Sequence, residues 1–202
     1  DYRPVLWKLT SAGEGESRFV AWQEATATIQ SVLPLCDLVV GTEEEIRIAG
    51  GESDVLAALT AIRARTNATI VLKRGPAGCS LIESAVPGRI EDLLTVPGFP
   101  VEVLNVLGAG DAFLSGFLSG WLADKPLTEC ARLGNASGAL VVSRHGCTPA
   151  MPSRTELAEF LKRAPHVRRP DLDDALSHIH HATTVRRSRG AYTRAAPISR
   201  PP

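Results

Sequence analysis

The sequence has no excess of either charge: 22 lysines and arginines face 22 aspartates and glutamates, giving a formal net charge of zero. That balance removes the general attraction for nucleic acid or an anionic membrane, and neither is expected as a partner. No apolar run is long enough to span a bilayer, and no secretory signal pattern is present, so a cytoplasmic location is expected. Cysteine is scarce. Cys36, Cys79, Cys130 and Cys147 stand far apart with no C-x-x-C pair, which argues against a zinc site or a disulfide framework. They are expected to be reduced, mostly buried thiols. Without secretion, the sequons at Asn67-Ala68-Thr69 and Asn135-Ala136-Ser137 are chance matches. Internal repeats are lacking too.

What is present fits one soluble domain with a sizeable core: 202 residues, 44% hydrophobic and 22% charged. The most informative stretch runs from Asn105 to Leu118, N-V-L-G-A-G-D-A-F-L-S-G-F-L. Gly108 and Gly110, without a Cβ, can turn successive N–H groups into one concavity. A helix starting near Asp111 would add its unpaired N–H groups and the positive end of its dipole. The result is a hole for an anion, with a phosphoryl group as natural occupant. Asp111 at the rim can take a proton from a hydroxyl attacking that group, which places it against the substrate. The competing explanation is a tight Gly108-Ala109-Gly110 turn with Asp111 as helix N-cap. A dinucleotide fingerprint fits poorly, because Phe113 stands where G-x-G-x-x-G needs a small residue and Asp111 would repel a pyrophosphate. The Lys-Ser/Thr of a P-loop is absent.

The rest of the chain alternates helix and strand patterns. Residues 17–35 predict an amphipathic helix built on Phe19, Trp22, Ala25, Ile29, Val32 and Leu33, closed by Pro34 and Leu35. Asp37–Gly41 predicts a short strand buried on both faces. A helix over Thr42–Ala49 follows, with Thr42 and Glu45 forming a capping box. Gly50-Gly51 ends it, and Ser53–Arg65 is a further helix. Thr69–Lys73 and Cys79–Ile82 predict two strands joined through Lys73-Arg74-Gly75-Pro76-Ala77-Gly78. Residues 84–100 suggest an irregular hairpin leading into Val101-Glu102-Val103. Small residues at Ala112, Ser115, Gly116 and Ser119 predict close packing of the helix after Asp111. Leu127–Val142 and Ser153–Lys162 complete the helices. From about His166 the arginine-, serine- and proline-rich sequence loses periodicity and predicts a flexible basic tail. His178, His180 and His181 lack partners at ligand spacing.

The stretch from Asn105 to Leu118 resembles the second signature of the PfkB/ribokinase family of sugar kinases. The segments Asp1–Trp7, Gly41–Glu45, Leu72–Gly78 and Asn135–Ala139 are similar to the same family in order and spacing, so the resemblance spans roughly residues 1–165. The wording Val101–Leu107, with Asn105 where most members carry Asp, is most similar to the branch that phosphorylates 5-dehydro-2-deoxygluconate in myo-inositol catabolism. A 2-keto-3-deoxygluconate kinase, a fructokinase or a catalytically silent nucleotide-binding fragment are the alternatives.

The resemblance implies a ribokinase-like three-layer α/β/α (Rossmann-like) fold for residues 1–165, with the N-terminal strands and β lid absent. It implies ATP and Mg²⁺ as cofactors and a small sugar or sugar acid as substrate, and it leaves room for a homodimer. Asp111 would be the base, with Gly108, Ala109 and Gly110 supplying amides. Glu45 would organise Mg²⁺, although Thr42 replaces the family's usual Asn. Lys73, Gly75 and Gly78 would lie under the nucleotide, and Asn135 and Ala139 would wall the adenine. Ala136 would belong to the same wall, and the small residues there suit close helix packing equally well. Arg3 would lie at the carboxyl end of a strand, where its planar fork can hold a carboxylate or phosphate, or else form an exposed ion pair.

Overall fold

A computed structural model describes residues 23–163. Arg3, the start of the predicted first helix with Phe19 and Trp22, and the tail from His166 lie outside them. The described chain forms helices α1 (Gln23–Val32), α2 (Glu43–Gly50), α3 (Val55–Arg63), α4 (Ala109–Trp121), α5 (Leu127–Val142) and α6 (Arg154–Arg163). Strands β1 (Leu38–Thr42), β2 (Thr69–Lys73), β3 (Cys79–Ile82) and β4 (Leu94–Val96) line up in sequence order in one sheet. β1 and β2 are parallel, with Thr42 opposite Lys73, whereas β2–β3 and β3–β4 are antiparallel.

Alternation along β2 divides the core. Ile70 and Leu72 face α1, α2 and α3, where they meet Ile29, Ile46, Leu59 and Ile62. Val71 faces the opposite way and joins Cys79, Leu81, Phe113, Phe117 and Cys130 beneath α4 and α5. Helices on both faces of a sheet give the three α/β/α layers that the sequence predicted. The central residues of β2 are fully buried, as befits a strand covered on both sides.

β1 departs from its expected burial. Leu38, Val39 and Val40 are only half-buried, because within the described residues β1 pairs with β2 alone. The predicted hairpin over 84–100 reduces to a 3₁₀ turn at Ile90–Asp92 and the short β4, and Val101–Val103 is irregular. Prolines and glycines in that stretch break the ladder before it can lengthen.

α4 and α5 pack closely because their facing positions are small. A Cβ on Gly116 would lie 2.4 Å from Ser137 Oγ, and one on Gly134 would lie 3.0 Å from Phe113. Both fall below a normal carbon contact, so the two helix backbones approach more closely than any larger side chain permits.

Candidate functional site

Thr42 and Lys73 end two parallel strands side by side, and the chain leaves both at the same edge of the sheet. Open α/β sheets bind ligands at this carboxyl edge. Thr42 caps α2: its hydroxyl accepts Glu45 N–H at 3.3 Å, while Glu45 Oε2 accepts Thr42 N–H at 2.6 Å. The predicted capping box is therefore present. It also fixes where the carboxylate points. Glu45 Oε2 lies 3.5 Å from Lys73 Nζ, and both side chains are more than four-fifths buried. A largely buried pair of this kind is screened less by solvent than a surface pair.

Lys73 reaches onward to the start of α4: a Cβ on Gly110 would stand 3.4 Å from its ammonium. This helix begins at Ala109, two residues before the start near Asp111 that the sequence suggested. Gly108, at φ 83°, is its N-cap, and Asp111 is its third residue, not its cap. Only Gly108 of the two glycines takes a positive φ. Gly110 is already helical, so the predicted two-glycine nest is one left-handed glycine followed by a helix N-terminus. Ala112 N–H bonds back to Gly108 at 2.9 Å, but the N–H groups of Gly110 and Asp111 have no acceptor among the described residues. Asp111 itself is exposed, and its position in the first turn suits a carboxylate.

Lys73, Glu45 and the Gly108–Asp111 turn thus come together. Chemically the group offers two free amides at a positive helix end, an ammonium, and a carboxylate with one oxygen already engaged. That combination favours a phosphate. Among the described residues no group of three or more His, Cys, Asp or Glu could hold a metal directly. The contacts of Glu45 run through Oε2, which leaves Oε1 without a hydrogen bond among the described residues.

The remaining candidates lie apart. Gly75 is exposed at φ 55°, with nothing within 4 Å of a Cβ placed there. Gly78 is buried at φ 90°, where a Cβ would meet the Val96 carbonyl oxygen at 2.1 Å. Its place is a close backbone crossing, with its own N–H donated to Gly75 at 3.0 Å. Asn135 is buried too, and its amide donates to the Val96 and Pro97 carbonyls at 3.0 and 3.1 Å. Both amide hydrogens are used in tying α5 to the end of β4, leaving none for a nucleotide. Ala139 is buried in α5. Cys79, beneath this crossing, has its thiol pushed up to about 12 by burial.

Sequence reasoning missed two connections. Arg74 Nε lies 3.7 Å from Glu43, which also faces Arg47 at 3.6 Å, so ion pairs link the Gly75 loop to α2. Asn105 bonds to Gly146, far along the chain. Its local half, an Asx turn to Leu107 N–H, was legible from an Asn before a glycine-rich turn. The distant half had no local signal.

Comparison with known proteins identifies the family and the fold. The profile described as pfkB family carbohydrate kinase matches residues 14–154, well over half of the chain. A 5-dehydro-2-deoxygluconokinase of Bacillus licheniformis is 28% identical over 165 residues, covering 80% of this chain and 45% of that protein. A Vibrio cholerae fructokinase, solved with fructose, ADP and calcium ion, superposes with a TM-score of 0.59 at 28% identity, over 69% of this chain and 45% of that one. An aminoimidazole riboside kinase of Salmonella enterica, solved with aminoimidazole riboside and an ATP analog, gives 0.61 at 24% identity, over 80% and 50%. The chain thus spans about half the length of the proteins it matches, or a little less.

Proposed function

This chain belongs to the pfkB family of carbohydrate kinases, and from that premise we propose that it carries the phosphate-handling part of an ATP-dependent sugar kinase. The proposed acceptor is a primary hydroxyl of a small sugar or sugar acid. First among candidates is 5-dehydro-2-deoxygluconate of myo-inositol catabolism, the substrate in the name of the 28% identical relative. The observation that carries the proposal is the convergence of Lys73, Glu45 and the first turn of α4 at the carboxyl ends of β1 and β2.

In this scheme the free N–H groups of Gly110 and Asp111, with Gly108 and Ala109 shaping the turn, hold the transferring phosphoryl group. Lys73 binds the phosphate chain, and the exposed Gly75 loop lies along the nucleotide. Asp111 accepts the proton of the attacking hydroxyl. Mg²⁺, when bound with the nucleotide, would neutralise phosphate charge, and Glu45 would orient its water through Oε1. Gly78, Asn135 and Ala139 serve packing and backbone crossing in this scheme, behind the nucleotide. Phosphoryl transfer asks mainly for positioning and electrostatic stabilisation, which these groups supply. The proposed setting is the cytoplasm, which suits the free thiols of Cys36, Cys79, Cys130 and Cys147.

The test is calorimetry of Mg-ATP binding to the chain, followed by ADP release with a panel of sugars. Release stimulated by 2-keto-3-deoxygluconate or fructose alone would move the substrate to that sugar. A second proposal is favoured by coverage: the chain spans 45% of the 5-dehydro-2-deoxygluconokinase. Binding of ATP without sugar-dependent ADP release would make it a silent nucleotide-binding portion. Absence of nucleotide binding would sink both.

A further inference from the structure

Asn105 stands three residues before the glycine that begins α4 and takes no part in the proposed chemistry. Its Oδ1 accepts Leu107 N–H at 2.8 Å, and its Nδ2 donates to the Gly146 carbonyl at 2.7 Å. One partner is a donor and the other an acceptor, which fixes the orientation of the amide without ambiguity. The main chain repeats the link, because Leu104 N–H and Asn105 N–H both donate to the Val142 carbonyl, at 2.8 and 3.2 Å. Just beyond this anchor, Cys147 rests on the glycine that starts α4: a Cβ on Gly108 would lie 2.5 Å from its Sγ. Gly146, at φ 93°, makes the bend that allows this.

We propose that Asn105 is a positioning residue that locks the first turn of α4 to the Gly146–Cys147 loop of this chain through both ends of its amide. The inference deepens the kinase proposal, since the turn it locks is the one assigned there to the phosphoryl group. Without the tether, the loop and the turn are joined by main-chain bonds at Val142 only, and the Gly108 end is free to shift. A carboxylate at position 105 could still accept from Leu107, but it would set two acceptor oxygens 2.7 Å apart at Gly146. That contact repels until the carboxyl gains a proton, whereupon its O–H can donate to the carbonyl.

The test reads the loop directly. In Asn105→Ala and Asn105→Asp, alkylation of Cys147 by iodoacetamide, followed peptide by peptide, should accelerate about five- to tenfold at neutral pH, as loss of one hydrogen bond allows. Cys79, fully buried, should remain unlabelled and report that each variant is folded. ADP affinity measured with Mg²⁺ should fall by a similar factor. Taken as ratios to the parent at the same pH, which removes the common loss of thiolate, both readouts should return toward one for Asn105→Asp as the pH is lowered and stay displaced for Asn105→Ala, a difference that mere loss of stability would not produce. Parental Cys147 labelling in both variants overturns the proposal. Failure of the parent chain to bind ADP overturns the phosphate assignment instead, and the labelling still decides the role of Asn105.

Discussion

The ammonium of Lys73 and the carboxylate of Glu45 meet at 3.5 Å, and the same carboxylate oxygen takes the N–H of Thr42 at 2.6 Å. Lysine and helix cap therefore share one acceptor at the sheet edge. In the free protein Lys73 has an anionic partner, and a phosphate arriving at α4 would compete for it.

Replacing Lys73 by Gln should weaken Mg-ATP binding by about 10- to 100-fold, the worth of one hydrogen bond to a charged group. Calorimetry on the parent and variant chains checks this. An unchanged affinity would place the triphosphate elsewhere.

Glu45→Gln separates helix capping from metal orientation. The amide oxygen can still accept Thr42 N–H, so the cap is kept and the melting temperature should fall only by what the ion pair with Lys73 contributes. The Mg²⁺ concentration that supports half-maximal ATP binding should rise about tenfold, as loss of an outer-sphere partner does. Thr42→Ala should show the reverse: about 1 kcal/mol less stability and an unaltered Mg²⁺ requirement.

Asp111→Asn, made in the corresponding position of a full-length relative with measurable turnover, should lower turnover by roughly two to four orders of magnitude. Nucleotide affinity should stay near that of the parent, because the amides of the turn remain. Steady-state ADP release and equilibrium binding, measured together, separate the two effects.

The two glycines of the loop after β2 should differ sharply. Gly78→Ala drives a methyl into the Val96 carbonyl and should cost about 2–4 kcal/mol in denaturant melts. Gly75→Ala meets no atom and should cost about 1 kcal/mol, the strain of its left-handed backbone alone.

Cys79 should set an alkaline limit. Its folded pKa is raised from 9.0 to about 12, so the unfolded chain releases the proton first. Stability from this thiol is complete below pH 9 and is lost as pH climbs from 9 toward 12. Thermal melts over that range should fall more steeply for the parent than for Cys79→Ala.

Local signals carried much of this architecture. Thr69–Lys73 and Cys79–Ile82 form strands over the predicted bounds, and the Thr42–Glu45 capping box is present, because apolar runs and caps act within a few residues. The sequence placed the start of α4 near Asp111, whereas the helix begins two residues earlier, after the left-handed Gly108, without any side-chain bond to mark it. The amide of Asn135 and the crossing at Gly78 escaped notice because both meet Val96–Pro97, a contact that no nearby pattern encodes. Burial of β1 was overstated since an apolar strand carries no mark of how many neighbours it has.

The doubled duty of Glu45 has an evolutionary corollary. A side chain that both starts a helix and faces a lysine answers to two selections at once, and a drift that suits one spoils the other. Diversification in this corner should accordingly be slow and concerted, with changes at 42, 45 and 73 travelling as a set.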